Sequence, residues 1–407
     1  MRASRVLGLS TSFGLAAVAT FIVTSSVYGD LSHPTLVTVE LLVLLTVQAL
    51  RHLRLWVSRE MLINLTFFLY SLLTLLWTEN IRVASPTIPA MLNFIIVLTL
   101  FSSLLAFHHT RAALSGMSLG FLAAAAYYTL ISGWPFTYPE EFSYNTIAGM
   151  YLFGFFTLTV FGVWMRWTVM PLAAGVVCLV LIAATTSIKT NLGVLLGLTA
   201  ASVLYFKFSL KGAIKGGIVL GVLVAAVGYL VLSNPTLTDK LNNGFSRVSL
   251  GVGVLTNREG DSGSTGLGTR EGWKKEGLKG WAVTPVFGHG VEAFRADFGI
   301  TSHSTPIDTL YNAGIIGCGL FYALLASIAW RLLTAGNPAE RKVRARIATC
   351  VIAYTFISLS GIMYYDGFLA MFLGVSSALL MRSERAFALV AQRRQHQAGI
   401  GEARLAS

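Results

Sequence analysis

The polar chemistry of this chain is densest between positions 233 and 307. Eight basic residues (Lys240, Arg247, Arg258, Arg270, Lys274, Lys275, Lys279 and Arg295) stand there among seven acidic ones. Arg247, in NNGFSRVS, and Arg270, in REGWKKEGLKGW, offer guanidinium forks that fit phosphate or diphosphate oxygens. Thr269 is the expected N-cap of a helix over REGWKKEGLKGW, which sets Arg270 where the helix dipole already favours an anion. A cation at that end makes sense if an anion also binds there. His303 has an ordinary pKa near working pH and can take a proton from an attacking hydroxyl. It equally fits a hydrogen-bonded surface histidine, as does His289 in the Gly288–Gly290 turn. Asp308, five residues beyond His303, can orient that imidazole or cap the helix it opens. Trp273, Gly277 and Trp281 share one helix face, with Lys274, Lys275 and Lys279 elsewhere. That pattern suits an interfacial helix with tryptophans at the headgroup level and snorkelling lysines. The preceding EGDSGSTGLGT stretch is flexible enough for a hinge or lid.

The elements that must position these residues are membrane spans. Of 407 residues 55% are hydrophobic and only 12% charged, far from soluble globular composition. Apolar runs recur at roughly 6–27, 35–50, 61–78, 88–107, 112–132, 145–165, 168–186, 191–206, 213–232, 308–330, 346–363 and 366–381. Backbone in lipid must bond to itself, so these runs are expected to be helices, and the period-2 alternation of a membrane barrel is absent. The expected class is all-α, a single polytopic membrane domain over 1–407 with about twelve transmembrane helices. The 233–307 loop is its one large, partly helical outer loop, and 382–407 is a basic inner tail lying along the anionic leaflet. The first run could pass for a signal peptide; its length and the early second run favour an uncleaved helix. Cys178, Cys318 and Cys350 all fall in apolar runs, an odd count that argues against disulfides and against a metal site.

Charge sets the orientation. With the N-terminus inside, inner segments hold twenty of the thirty Lys and Arg, and the short outer loops hold two, Arg82 and Lys189. This asymmetry follows the positive-inside rule and puts the 233–307 loop outside. The net charge of +12 is thereby largely topological and does not call for nucleic acid. Acidic groups inside or at the ends of spans are site candidates by default, namely Glu40, Asp308 and Asp366, and Glu40 is expected to pair with a neighbouring helix. Arg82 is a supporting candidate at an outer end.

The order of these features resembles the O-antigen ligase and polymerase superfamily of bacterial envelope enzymes. Its members have many helices and a late periplasmic loop carrying Arg-x-x-Trp, then Pro-x-x-Gly-x-Gly, then a His leading into a helix with Gly-x-x-Gly. Here these are Arg270–Trp273, Pro285–Gly288–Gly290, His303 and Gly314–Gly317. The motifs cover about 265–320, and the topology is similar over almost the whole chain. The resemblance implies a multi-pass protein of the bacterial inner membrane with cytoplasmic termini. It implies glycan transfer from an undecaprenyl-diphosphate donor to a hydroxyl of lipid A–core, without metal or other cofactor. His303 would be the base, Arg270 and Arg247 would bind the diphosphate, and Lys189 in TTSIKTN would stand where the family usually has an arginine. Asn commonly follows the family's His; here it is Ser304. No Asp-x-Asp occurs, and direct displacement would invert the anomeric centre. An O-antigen or exopolysaccharide polymerase is the alternative with the same chemistry; one large outer loop rather than two favours the ligase. A lipid-linked glycan transporter is the non-catalytic alternative, and it would place charge along the bundle interior.

Overall fold

The computed structural model describes residues 2–25, 34–52, 58–79, 81–107, 110–133, 144–162, 175, 177–182, 238–239, 242, 267–334, 341–382 and 384. The expected spans over 191–206 and 213–232, most of 168–186, Lys189 and Arg247 lie outside the described residues. Among the described residues the regular structure is entirely helical. The elements are α1 (Arg2–Ser25), α2 (Pro34–His52), α3 (Arg59–Leu73, extended by a 3-10 turn over Thr74–Leu76), α4 (Ile81–Ala84), α5 (Thr87–Phe107), α6 (Thr110–Ser132) and α7 (Tyr144–Gly162). After the undescribed stretch come α8 (Leu267–Trp281), α9 (Ala293–Phe298), α10 (Thr305–Thr334), α11 (Arg341–Ile357) and α12 (Gly367–Arg382).

Four described segments are long and apolar enough to cross a membrane: Arg59–Leu76, Ile81–Ala106, Ala112–Ser132 and Thr305–Thr334. Shorter apolar helices accompany them over Thr11–Ser25, Leu36–Leu50, Ile147–Leu158, Ile347–Ile357 and Gly367–Arg382. The outside of these helices is apolar as well. Along α2, Leu36, Val39, Val43 and Leu50 are more than half exposed, and so are Leu62 and Leu69 on α3. Hydrocarbon rather than water is the solvent that suits such a surface. Glu40 is also exposed on α2, and no ion pair forms on it among the described residues.

Packing between helices follows membrane rules, with small residues where backbones meet. On α6 a Cβ at Gly116 or Gly120 would fall on the backbone carbonyls of Phe13 and Ala17, so these two glycines let α1 lie directly against α6. The centre of the bundle is aromatic. Phe153 of α7 stacks on Phe368 at 4.9 Å and meets Phe372 edge-on at 5.2 Å.

At one end of the bundle three helices are tied by charge. Arg331 of α10 pairs with Glu60 of α3, and its second terminal nitrogen lies 2.8 Å from Glu384, just past α12. Glu60 is 1% exposed and also accepts from Ser377 of α12 at 3.1 Å. Residues that the charge count assigns to one side of the membrane thus meet at one end of the fold.

Two expected boundaries shift. The 233–307 segment ends at Ser304 rather than 307, because α10 begins at Thr305, with the Ser304 carbonyl taking its first helical hydrogen bond. The eleventh run stops at Ile357 rather than 363. Residues 358–366 turn there instead, and part of that turn docks on the start of α10.

Candidate functional site

The end opposite the Glu60–Arg331 pair is organised around an interruption of α10. Gly314 has φ 64 and ψ −169, a conformation essentially restricted to glycine, so α10 is two helices joined at that residue. An interrupted helix leaves amides and carbonyls without partners. The turn carrying Pro285, Gly288 and Gly290 supplies them. His289 and Gly290 donate their amides to the carbonyls of Tyr311 (2.9 Å) and Asn312 (2.8 Å), and Ile315 donates to the Pro285 carbonyl (2.9 Å). A Cβ at Gly288 or Gly314 would collide with the backbone of the other strand of this contact. The Pro-x-x-Gly-x-Gly turn and Gly314 are therefore two halves of one joint. Gly317 serves packing, with Tyr70 of α3 and Ala313 against it. The Tyr70 hydroxyl donates to the Ala313 carbonyl at 3.0 Å.

The end of α3 holds the same turn from the other side. Thr74 Oγ1 accepts from the Val291 amide at 3.0 Å, and Thr78 Oγ1 donates to the Val291 carbonyl at 3.1 Å. His289 is consumed by this framework. Its Nε2 donates to the Gly280 carbonyl at 3.0 Å and its ring stacks on Tyr311 at 4.6 Å, a structural role.

His303 sits just ahead of the first half of α10. It has φ 53, and it and Glu292 (φ 59) are the non-glycine residues with positive φ among those described. A left-handed histidine costs free energy that its surroundings must supply. Asp308 fixes the backbone next to His303. Its Oδ1 faces the amide (3.4 Å) and hydroxyl (3.0 Å) of Ser302, and its Oδ2 accepts from Asn312 Nδ2 (3.0 Å) and the Tyr364 hydroxyl (2.8 Å). Asp308 thus acts on the backbone turn that presents His303. The Ser304 carbonyl accepts from the Asp308 amide at 2.8 Å, which starts the helix. Thr305 latches the turn to residues 361–363: its amide (3.1 Å) and hydroxyl (2.6 Å) both reach the Gly361 carbonyl, and its Oγ1 accepts from the Met363 amide (2.9 Å).

The half-buried His303 ring lies 6.0 Å from the indole of Trp273. That indole comes from α8, which packs on Phe294 of α9 and on Ile307 and Tyr311 of the first half of α10. Gly277 and Gly280 make room for the Phe294 and Tyr311 rings. This corrects the interfacial reading of α8 on the Trp273 face, which is turned toward protein. The lysines do fit a solvated face: Lys275 and Lys279 are exposed, with Lys279 paired to Glu276 at 2.6 Å. α8 begins at Leu267, so Thr269 is inside the helix rather than its cap. Arg270 follows within its opening turns, and its side chain lies outside what is described. The His303–Trp273 contact puts the Arg270 segment and the His303 turn on the same side of the fold.

Arg82 is exposed on α4, which packs against α9 at this same end. Asp366 caps α12, accepting from the Leu369 amide at 2.8 Å. Two residues that the sequence does not single out, Glu292 (one of the seven acids of 233–307) and Tyr364, belong to the site's supports. Glu292 is 4% exposed, with its carboxyl toward Tyr364 and Thr87. Burial, with Asp308 nearby, pushes Glu292 up to about 7. Tyr364 touches both carboxyls. Tyr364 falls in the short gap between the expected runs 346–363 and 366–381, where nothing marks it, while Glu292 in GVEAF is a lone acid in apolar surroundings. Comparison with protein-family models and with curated proteins finds no match to this chain.

Proposed function

We propose that this chain is a membrane glycosyltransferase that moves a glycan from an undecaprenyl-diphosphate carrier onto a hydroxyl of lipid A–core, on the periplasmic side of the bacterial inner membrane. The observation that carries the proposal is the presentation of His303. A titratable ring is held in a strained backbone state at a bundle end by a buried carboxylate, and strain of this kind clusters at functional sites. In the reaction His303 takes the proton of the acceptor hydroxyl as its oxygen bonds to the anomeric carbon. The bond from that carbon to the diphosphate breaks, and the charge leaving on the diphosphate is met by Arg270, with Arg247 and Lys189 as further cations. Asp308 supports the His303 turn, and Arg82 is a supporting cation at the same end. Fixed cations replace a divalent metal in this scheme, and displacement from the opposite face inverts the anomeric configuration. The order of motifs along 265–320 supports the same reading.

The test incubates purified protein with undecaprenyl-diphosphate glycan and lipid A–core in the presence of chelator. Labelled lipid A–core is expected from the wild type and none from His303→Ala or His303→Gly. Glycine relieves the left-handed strain at φ 53, so His303→Gly should keep or raise thermal stability while losing transfer. Wild-type-like transfer by His303→Gly would remove the imidazole from the reaction. Chain growth on the carrier with no labelled lipid A–core would assign a polymerase instead. Movement of intact donor across vesicles without transfer would assign a transporter.

A further inference from the structure

The structure joins Glu292, Tyr364 and Asp308 into one buried array, and we propose that this array holds a single proton on Glu292 and thereby positions the turn that carries His303. Hydrogen-bond counting leads there. Tyr364 has one hydroxyl hydrogen and stands between two carboxyl groups. It lies 2.8 Å from Asp308 Oδ2 and 3.5 Å from Glu292 Oε1, so its hydrogen belongs to Asp308. Glu292 then has a favourable contact with the phenolic oxygen only if it carries a proton and donates. Asp308 meets the requirements of the ionised partner, because Ser302, Asn312 and Tyr364 all offer it donors. The direction of the chain is therefore Glu292 to Tyr364 to Asp308, and Asp308 passes the order on to Ser302 beside His303.

Electrostatics supports one shared proton, because burial disfavours charge on both the Glu292 and the Asp308 carboxyl, and the hydrogen-bond donors around Asp308 place that proton on Glu292. The groups facing Glu292 are Asp308 from α10, Arg295 from its own helix α9, Tyr364 and Tyr365 from the turn before α12, and Thr87 from the start of α5. Arg295 is exposed, whereas both carboxyl-bearing residues are buried. Two such acids close together do not both ionise easily, and the pair keeps one proton until the pH rises through the range near 7. Linked donors and acceptors in a buried site also reinforce one another. Glu292 and His303, which the array links through Asp308 and Ser302, are also the non-glycine residues with positive φ among those described. Glu292 and Tyr364 are positioning residues. The consequence for His303 rests on the function proposed above; the proton on Glu292 does not.

The experiment is infrared difference spectroscopy on the full chain in nanodiscs, titrated from about pH 6 to about pH 8, across the value near 7 expected for Glu292. The carbonyl stretch of a protonated buried carboxyl is expected at the acid end and lost at the alkaline end. It should be missing in Glu292→Gln, and moved but present in Tyr364→Phe, where the partner is gone and the acid remains. No such band in the wild type, or an unchanged band in Glu292→Gln, overturns the array. Glycan transfer is then measured against pH. The wild type is expected to lose activity on the alkaline side, and Glu292→Gln, which stays neutral and can still donate, should move that limb upward. An unmoved limb overturns the positioning role. Because the infrared signal needs no turnover, a chain that fails to transfer glycan still reports on the proton, and the two failures are distinguishable.

Discussion

Replacing Gly314 by alanine tests the joint on which the candidate site is built. At φ 64 and ψ −169 an alanine is in a region essentially reserved for glycine, which costs about 1–3 kcal/mol. Its Cβ would also fall on the Val286 carbonyl, so the turn must move away. That movement gives up the amide contacts of His289, Gly290 and Ile315, each worth roughly 0.5–1.5 kcal/mol. Together the change should cost roughly 2.5–7.5 kcal/mol, since strain and displaced hydrogen bonds arise at one place. Thermal unfolding of purified protein in detergent is the assay, with an expected drop in apparent Tm on the order of 5 °C or more. Gly319 in the same helix provides the control. A Cβ there meets nothing within 4 Å, so Gly319→Ala should be neutral or stabilise by up to about 1 kcal/mol. Amide exchange of the 285–290 peptide should rise in Gly314→Ala and stay unchanged in Gly319→Ala. Equal Tm values for the two variants, with 285–290 still protected in both, would refute the claim that this turn splints an interrupted helix.

The Glu60–Arg331–Glu384 tie makes a second test. Glu60 is 1% exposed, so Arg331→Met strands a buried carboxylate and should destabilise by about 3 kcal/mol. Adding Glu60→Gln should recover part of that loss, and Glu384→Ala, at an exposed position, should cost less than about 1 kcal/mol in the same unfolding assay. Glu292 makes a third. Its folded pKa is raised from an ordinary 4.5 to about 7, so the folded state holds the proton more tightly than the unfolded chain. Its contribution to stability is fully present below pH 4.5 and lost as pH rises through 7. At about 1.4 kcal/mol per pH unit the loss is roughly 3 kcal/mol, and Glu292→Gln should flatten it. An identical pH dependence of apparent Tm in the variant would assign the effect elsewhere.

Hydropathy was a good guide to where helices lie. α1, α2, α3, α5, α6 and α7 follow the expected runs within a few residues, because apolar length is a property of each segment alone. The features that build the site are pairwise and were less visible. Gly314 and Gly317 stand in sequence as one Gly-x-x-Gly motif, yet the two do different things: Gly317 packs against Tyr70 and Ala313, and Gly314 interrupts the helix. The interruption at Gly314 exists because a turn some 25 residues earlier supplies its hydrogen bonds. Thr269 looked like a cap since it precedes a polar helical run, but the helix extends back to Leu267. His303 and Asp308 could be picked out by chemical type, whereas the route between them runs through Ser302 and its backbone. Glu60 and Glu292 each look like an ordinary boundary charge until their burial is known.

The latch between Thr305 and the Gly361–Met363 segment has a consequence for biogenesis. Chains are made from the N-terminus, and the parts that cradle the 285–290 turn, Tyr70, Thr74 and Thr78, all precede it. That turn and the interruption at Gly314 have every partner they need as soon as α10 has emerged. The His303 turn does not. Gly361, Met363 and Tyr364 arrive only after α11 has been made, and until then Thr305 lacks its latch and Asp308 lacks its Tyr364 donor. The nascent protein consequently carries an unfinished His303 turn while roughly 60 further residues are made, and the turn matures once the 361–364 segment is in place.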